Sequence, residues 1–546
     1  MAKKKPPESL PKLSLSALLS RGYFPVELPP GFTTSKFARA ITVGKDMLPE
    51  ELTDAKKGKW CDYSAYSLAR PALLRRRLAI ANPIPYYRLA AAIVAHQDEL
   101  LRKARASIFC LPKPTIRSDG SLTRSPPLDA VPPHRALVRF GKHVILYADV
   151  SRFYPSVYTH AIEWALSSKE AAKKRLRARP AEESVGAKID SLVQACQSGQ
   201  TRGVPIGPVS SMLLAEIILS QVDARLEKEG IRDGFRFIDD YELVFTERSK
   251  AERALTVLED ALAEFELELN PLKTKICDLP QELDNPGIQE IRAFPRRDSH
   301  HRTGIHLGQD LPSIQPSDLL HLFTRAFARQ REFPDKSILR YTVSSLSGVR
   351  VSSATAELLQ ALILQAVMHE PGVWPFAIKA LKDLHETHAS LSEEAVRETI
   401  HAMIKKCAPV KHSSEVAWSL WAALVFDIVV TQEAVEAVAQ MVDDCCSILL
   451  FHAAKRNLTE IPPPSQAFQE SFTPESLRGP HWLLSYELAV QGWVSLPKKD
   501  HIAEDAVFSF LRDQNVRFYD ADAVTRLTGR PDEEEDEEEG EYFGGY

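Results

Sequence analysis

At 546 residues the chain is longer than one hydrophobic core normally supports, so two or three domains are expected. A hydrophobic fraction of 44% and a charged fraction of 26% are ordinary globular usage. No apolar run reaches the roughly 18 residues that cross a bilayer, which argues against a membrane partner. Residues 1–10 have three lysines ahead of Pro6-Pro7 and no apolar stretch of the secretory kind, so a cytoplasmic location is expected. The net charge of −5 comes from nine acids between 532 and 541; the rest holds 68 bases against 64 acids, a balance that permits nucleic acid as a partner. Seven cysteines without CxxC spacing suggest neither a disulfide framework nor a zinc ribbon, and Cys445-Cys446 read as buried thiols in a helix.

Up to about residue 80 the pattern is mixed. Pro25, Pro29 and Pro30 punctuate it, and Leu68 to Ala79, with Arg70, Arg75, Arg76 and Arg77, reads as a basic helix. Asp119-Gly120 predicts a hairpin turn between short strands. Val144 to Val150 is β-branched and aromatic and reads as a strand; Phe235 to Phe245 sets apolar residues on both sides of Asp239-Asp240. Between these, 157–178 and 209–228 read as helices. Another helix is expected at 249–267, then a strand over 268–278 with a turn at Asn270-Pro271. Arg292, Arg296, Arg297 and Arg302, with His300, His301 and His306, form a basic linker; adjacent histidines without a cysteine do not suggest zinc. After about 315 come amphipathic helices near 353–368, 375–388, 393–406, 414–429 and 432–456, with Ser392 and Thr431 as expected N-caps and no strict repeat. Residues 531–546 are acidic and Gly-rich and are expected to be disordered.

The chemistry is legible in three aspartates. Phosphoryl transfer from a nucleoside triphosphate uses two divalent ions about 4 Å apart, held by carboxylates. Magnesium takes a few oxygen ligands plus phosphate oxygens, and manganese is the alternative ion. An Asp at the end of one strand facing an Asp-Asp turn on a neighbouring hairpin meets that need. Asp149 ends its strand and Asp239-Asp240 interrupts two others; the nearest bases, Arg152 and Arg236, fall at odd spacings and should face away.

Tyr147-Ala-Asp-Val-Ser-Arg-Phe-Tyr-Pro-Ser-Val157 resembles motif A of reverse transcriptases. The resemblance implies that Asp149 binds both metals, that the carbonyl of Val150 assists, and that the Tyr154 ring excludes a ribose 2′-hydroxyl and so selects deoxynucleotides. Gln200-Thr-Arg-Gly-Val-Pro-Ile-Gly-Pro-Val-Ser-Ser211 resembles motif B, a nucleotide-binding loop through Gly203, Pro205, Ile206 and Gly207, whose glycines let backbone approach nucleotide and primer. It departs from most relatives, which carry Gln at the position of Ile206 and Ser-Pro at Ser211-Met212. Phe237-Ile-Asp-Asp240 resembles motif C, with Asp239 a metal ligand and Asp240 a supporting carboxylate. Asn270-Pro-Leu-Lys-Thr-Lys275 resembles motif D, whose lysine, here Lys273, serves the leaving pyrophosphate. Lys113 and Arg124 fall where bases of the fingers would contact the triphosphate.

The segment from Asp149 to Leu166, with Gly203 to Pro208, is similar to the bacterial abortive-infection and defence-associated reverse transcriptases. That likeness implies an α+β fold: right-hand polymerase fingers and palm (reverse-transcriptase fold), then an all-α helical-repeat domain. The expected division is an N-terminal extension of the fingers at 1–80, fingers and palm at 81–300, helices at 315–515 and the tail at 531–546. It further implies dNTP substrates, a DNA product made in some members without a template and attached to a protein hydroxyl, an RNA partner or template, and a homo-oligomer. Two other functions fit the residues: a conventional RNA-templated enzyme of a retron or mobile element, and a non-catalytic nucleic-acid-binding protein.

Overall fold

The computed structural model of the protein describes residues 11–54, 60–71, 74–125, 130–178, 184–293, 314–346, 349, 351–387, 392–464, 468, 472–494 and 500–525. The acidic tail and the linker residues 296–306 lie outside the described residues.

Among the described residues eight strands form three sheets. A hairpin of β1 (Ser64–Ala69) and β2 (Arg75–Ile80) is antiparallel, with Ser64 opposite Ile80. A second hairpin joins β3 (Lys113–Ile116) to β4 (Leu122–Ser125) through the expected turn, where Gly120 has a φ of 84°. The central sheet has β5 (Val144–Asp149), β6 (Gly234–Phe237), β7 (Asp240–Phe245) and β8 (Lys275–Asp278) in the antiparallel order β6-β7-β5-β8. The two middle strands are buried along most of their length, which is why they read as apolar runs. The helix Arg248–Ala263 packs on β5, β7 and β8 and against the helix Val209–Lys228.

The strand expected over 268–278 shortens to β8, and three other expectations change in kind. The basic helix over 68–79 is the β1–β2 hairpin: Pro71 cannot continue a helix, and strand pairing aligns the arginines of β2 with Ala69, Leu68 and Ser67. The helix over 157–178 is two, His160–Leu166 and Lys169–Arg177, because the Ser168 hydroxyl caps the second by accepting from the Ala171 N–H. The helix over 432–456 breaks at Val442, whose φ is 50°, into Gln432–Met441 and Asp444–Lys455, the second capped by Asp443.

From 316 onward every described helix belongs to one mass that shares a continuous core with the sheets. Helices Ser353–His369, Trp374–Thr387, Glu393–Cys407 and Ser413–Val425 stand near their expected bounds. Residues 11–80 contact this mass directly. Phe32 bridges to Tyr519, the Trp418 indole N–H donates to the Glu27 carbonyl at 3.1 Å, and that of Trp482 to the Ile80 carbonyl at 3.0 Å. Among the described residues no helix is long and apolar enough to cross a membrane.

Candidate active site

The acids meet because two strands end together. Asp149, last in β5, pairs in register with Asp240, first in β7, and the Val150 N–H donates to the Asp239 carbonyl at 3.3 Å. The loop before β8 closes the group: Asn270 donates its backbone N–H to the Asp149 carbonyl at 2.7 Å and its side-chain amide to Asp149 Oδ1 at 3.0 Å. Lys273 Nζ lies 2.7 Å from Asp149 Oδ2. Thus Asp149, Asp239, Asp240 and Lys273, about 120 residues apart at the extremes, share one cleft.

The charges there are out of balance. Asp149 is buried. Loss of solvent, then the neighbouring Asp149 charge, pushes the Asp239 carboxyl up to about 6. Asp240, the more exposed residue, is pushed up to about 7, again by desolvation first and then by Asp239 and a hydrogen bond with Asp149. Burial alone would lower the Lys273 ammonium, but its hydrogen bond to Asp149 and the charges of all three acids raise it above the ordinary lysine value. Three carboxylates outnumber the bases near them, Lys273 and Arg76, so the site gains from a cation, and the hard oxygen donors suit magnesium or manganese.

The turn that presents Asp239 is built from below. Ile238, a β-branched residue, sits at φ 60°, a conformation that needs outside support. Arg236 provides it. Its guanidinium donates to the Ile238 carbonyl at 2.5 Å and pairs with Glu216 and Asp223 at 2.6 Å each; all three side chains are essentially inaccessible to solvent. Tyr241 and Ser107 hydroxyls donate to Asp223 at 2.9 and 2.6 Å. As expected, Arg236 faces away from the acids, whereas Arg152 is exposed with a φ of 47°.

The other expected residues are placed as follows. Tyr154 is half-buried, and its carbonyl accepts from the Val204 N–H at 3.1 Å, tying the two motif segments together. The glycines serve the protein's own packing. Gly203, at φ 86°, lies against Pro155, and a Cβ on Gly207 would fall 2.5 Å from the Pro25 ring. Pro205 is buried, and the Ile206 carbonyl accepts from the Ala79 N–H of β2 at 2.8 Å. Lys113 is exposed at the head of β3, while Arg124 is buried, within electrostatic reach of Cys110.

A second base near the acids is Arg76, within electrostatic reach of Asp239 and Tyr154; burial, then Arg70, lowers its pKa. Reading the segment as a helix concealed it. In a strand, alternation sets Arg76 on the face opposite Arg75 and Arg77, and that period was the available signal.

Residues 75–306 match the family model of the reverse transcriptase (RNA-dependent DNA polymerase), a stretch that spans β2, the central sheet and all four charged residues of the cleft. No curated protein matches the chain in sequence. Among solved structures, apo telomerase from Candida tropicalis is similar at 12% identity and a TM-score of 0.30, over 68% of this chain. This chain spans 66% of the telomerase chain, and a likeness so distant carries no argument. Over residues 75–306, then, the chain carries a reverse transcriptase domain, that of an RNA-directed DNA polymerase and therefore of a nucleotidyltransferase.

Proposed function

We propose that this protein polymerises dNTPs at Asp149, Asp239 and Asp240 and acts in bacterial defence against phage. The observation that carries the polymerase reading is the convergence of three carboxylates with Lys273 at the ends of β5 and β7. A pair of divalent ions bound there supplies activation of the attacking hydroxyl and neutralises charge on the leaving pyrophosphate. Asp149 and Asp239 hold the ions, with the Val150 carbonyl, and Asp240 adds negative charge beside them. Lys273, already lodged against Asp149, turns to the pyrophosphate and gives it a proton or a positive charge. Arg76 takes the triphosphate from the β2 side, where its planar fork suits phosphate oxygens. The Tyr154 ring blocks a 2′-hydroxyl.

The defence assignment is supported by the motif likeness from Asp149 to Leu166 and by the helices after 352. Of these, Ser353–His369 and Glu393–Cys407 each pack on both the next helix and the next but one, as in a helical-repeat domain standing in place of a thumb. Ile206, in place of the usual Gln, favours untemplated synthesis primed from a protein hydroxyl, with the DNA left attached to the chain.

The test is incubation of purified protein with magnesium and each labelled dNTP, without template or primer, followed by a denaturing gel before and after protease. Labelled DNA whose mobility changes with protease is the expected result. Product only on primed RNA makes this a conventional enzyme of a retron or mobile element. Incorporation under neither condition rejects the polymerase reading in favour of nucleic-acid binding alone.

A further inference from the structure

The β1–β2 hairpin carries Arg76 toward the acids, yet it is held by the helical mass. At the start of the helix Ser413–Val425, the Ser413 and Ser414 hydroxyls accept the outward-facing N–H groups of Ser67 and Ala69 in β1 at 3.0 and 2.8 Å. Beside them Glu415 grips Arg75 with both oxygens, at 2.5 and 2.6 Å. Arg75 in turn donates to the Ser67 hydroxyl and carbonyl at 2.7 Å each, so one guanidinium locks β2 to β1 and the pair to the helix. The Glu415 side chain is only 3% exposed and that of Arg75 21%, so solvent screens the pair weakly.

Strand alternation turns this grip into aim. Arg75 and Arg77 share one face of β2; the first is bound to Glu415 and the second stacks over Tyr63, with 5.6 Å from guanidinium to ring centre. Arg76 is thereby committed to the opposite face, toward Asp239 and Tyr154. Two residues farther along β2 from Arg77, Ala79 is pinned to the Ile206 carbonyl, so the strand is fixed against the 203–208 loop as well.

We propose that Glu415 is a positioning residue for nucleotide binding: by clamping Arg75 from the helical side, it holds the β1–β2 hairpin so that Arg76 meets the triphosphate. This rests on the polymerase reading above. The role makes the helical mass part of the nucleotide site without touching the substrate, and any partner that moves the helix Ser413–Val425 alters nucleotide affinity through this pair. A competing use of the same spot is a metal site, since ligand atoms of Cys407, His412 and Glu415 lie within 4.8 Å of one another. Arg75 stands against it, because its charge and its hold on both Glu415 oxygens must be displaced before an ion enters.

The experiment compares full-length wild type, Glu415→Gln, Arg76→Ala and the double variant in dNTP incorporation at saturating magnesium, with melting curves for each. Glu415→Gln should raise KM for dNTP about tenfold and change kcat by less than about twofold, the size of a typical coupling between residues in one network. In the Arg76→Ala background it should change KM no further, because the effect runs through Arg76. A wild-type KM, a loss confined to kcat, or equal effects in both backgrounds overturns the proposal. If Glu415→Gln does not fold, Arg75→Lys, which keeps the charge and loses the two-pronged grip, takes its place with the same expectation. If wild type incorporates no dNTP, the polymerase reading has failed separately. The clamp is then read by hydrogen exchange at the Ser67 and Ala69 amides: Glu415→Gln must speed it, and unchanged exchange overturns the inference.

Discussion

The two faces of the β6–β7 hairpin hold opposite kinds of charge cluster. On one, Asp149, Asp239 and Asp240 face Lys273 and, at longer range, Arg76, and two of the carboxyls are pushed well above their ordinary range. On the other, Arg236 is matched by Glu216 and Asp223, and the hydroxyls of Tyr241 and Ser107 complete the bonding of Asp223. The Arg236 cluster still sets two carboxylates against one guanidinium, but each of these groups is hydrogen-bonded and sealed from solvent. The Asp149 cluster, with two carboxyls pushed up and Asp240 exposed, costs the fold something and is open, which is the mark of a site kept for a ligand. Within one hairpin the neighbours Asp240 and Tyr241 separate function from structure, because alternate side chains of a strand point to opposite faces.

Removing a member of each cluster should separate the two roles most sharply. Asp149→Ala or Asp239→Ala is expected to cut nucleotide incorporation by about a thousandfold or more, since the charge that holds the cations is lost. Melting temperature should stay level or rise, because a repulsion goes with it. Retention of full activity in either variant removes the proposed site. Arg236→Met should do the reverse in kind: it leaves Glu216 and Asp223 buried without their cation and costs on the order of 3–5 kcal/mol in a urea titration. An unchanged midpoint would mean that the cluster relaxes or protonates at little cost, and the contrast between the faces would fail.

The Asp149 cluster was legible in the sequence, and the Arg236 cluster was only half so. Asp149, Asp239-Asp240 and Lys273 stand in short segments whose order implies a shared cleft, and the strand ends deliver them there. Arg236 could be set on the opposite face by counting, but its partners lie on the helix Val209–Lys228, and nothing local marks Glu216 or Asp223 as its counter-ions. Arg76 was missed for another reason. A run of bases ahead of Leu78-Ala79 has helical propensity, and only pairing with β1, fixed partly by the distant Ser413 and Ser414, makes it a strand. The break at Val442 depended on Asp443 acting as a cap inside an otherwise continuous apolar pattern.

A smaller and finer contrast lies in pH. Asp239 and Asp240 have folded-state pKa values of about 6 and about 7 against 3.8 for a free aspartate. Between those limits the folded state binds more protons than the unfolded one, so their contribution to stability is fully present below about pH 4 and is lost as pH rises through 6 to 7. Divalent cations bind the ionised forms and oppose that loss. The rise in melting temperature on adding magnesium to chelator-treated protein should therefore be small at pH 5.5 and larger at pH 8. In a protein carrying both Asp239→Asn and Asp240→Asn the difference between the two pH values should largely vanish. Other buried acids, Glu370 and Glu487, also titrate near 7, but they are untouched by these substitutions and cancel in the comparison. A magnesium shift of equal size at both pH values would show that the carboxylates are already ionised at pH 5.5, and that the charge imbalance across the hairpin is weaker than its geometry implies.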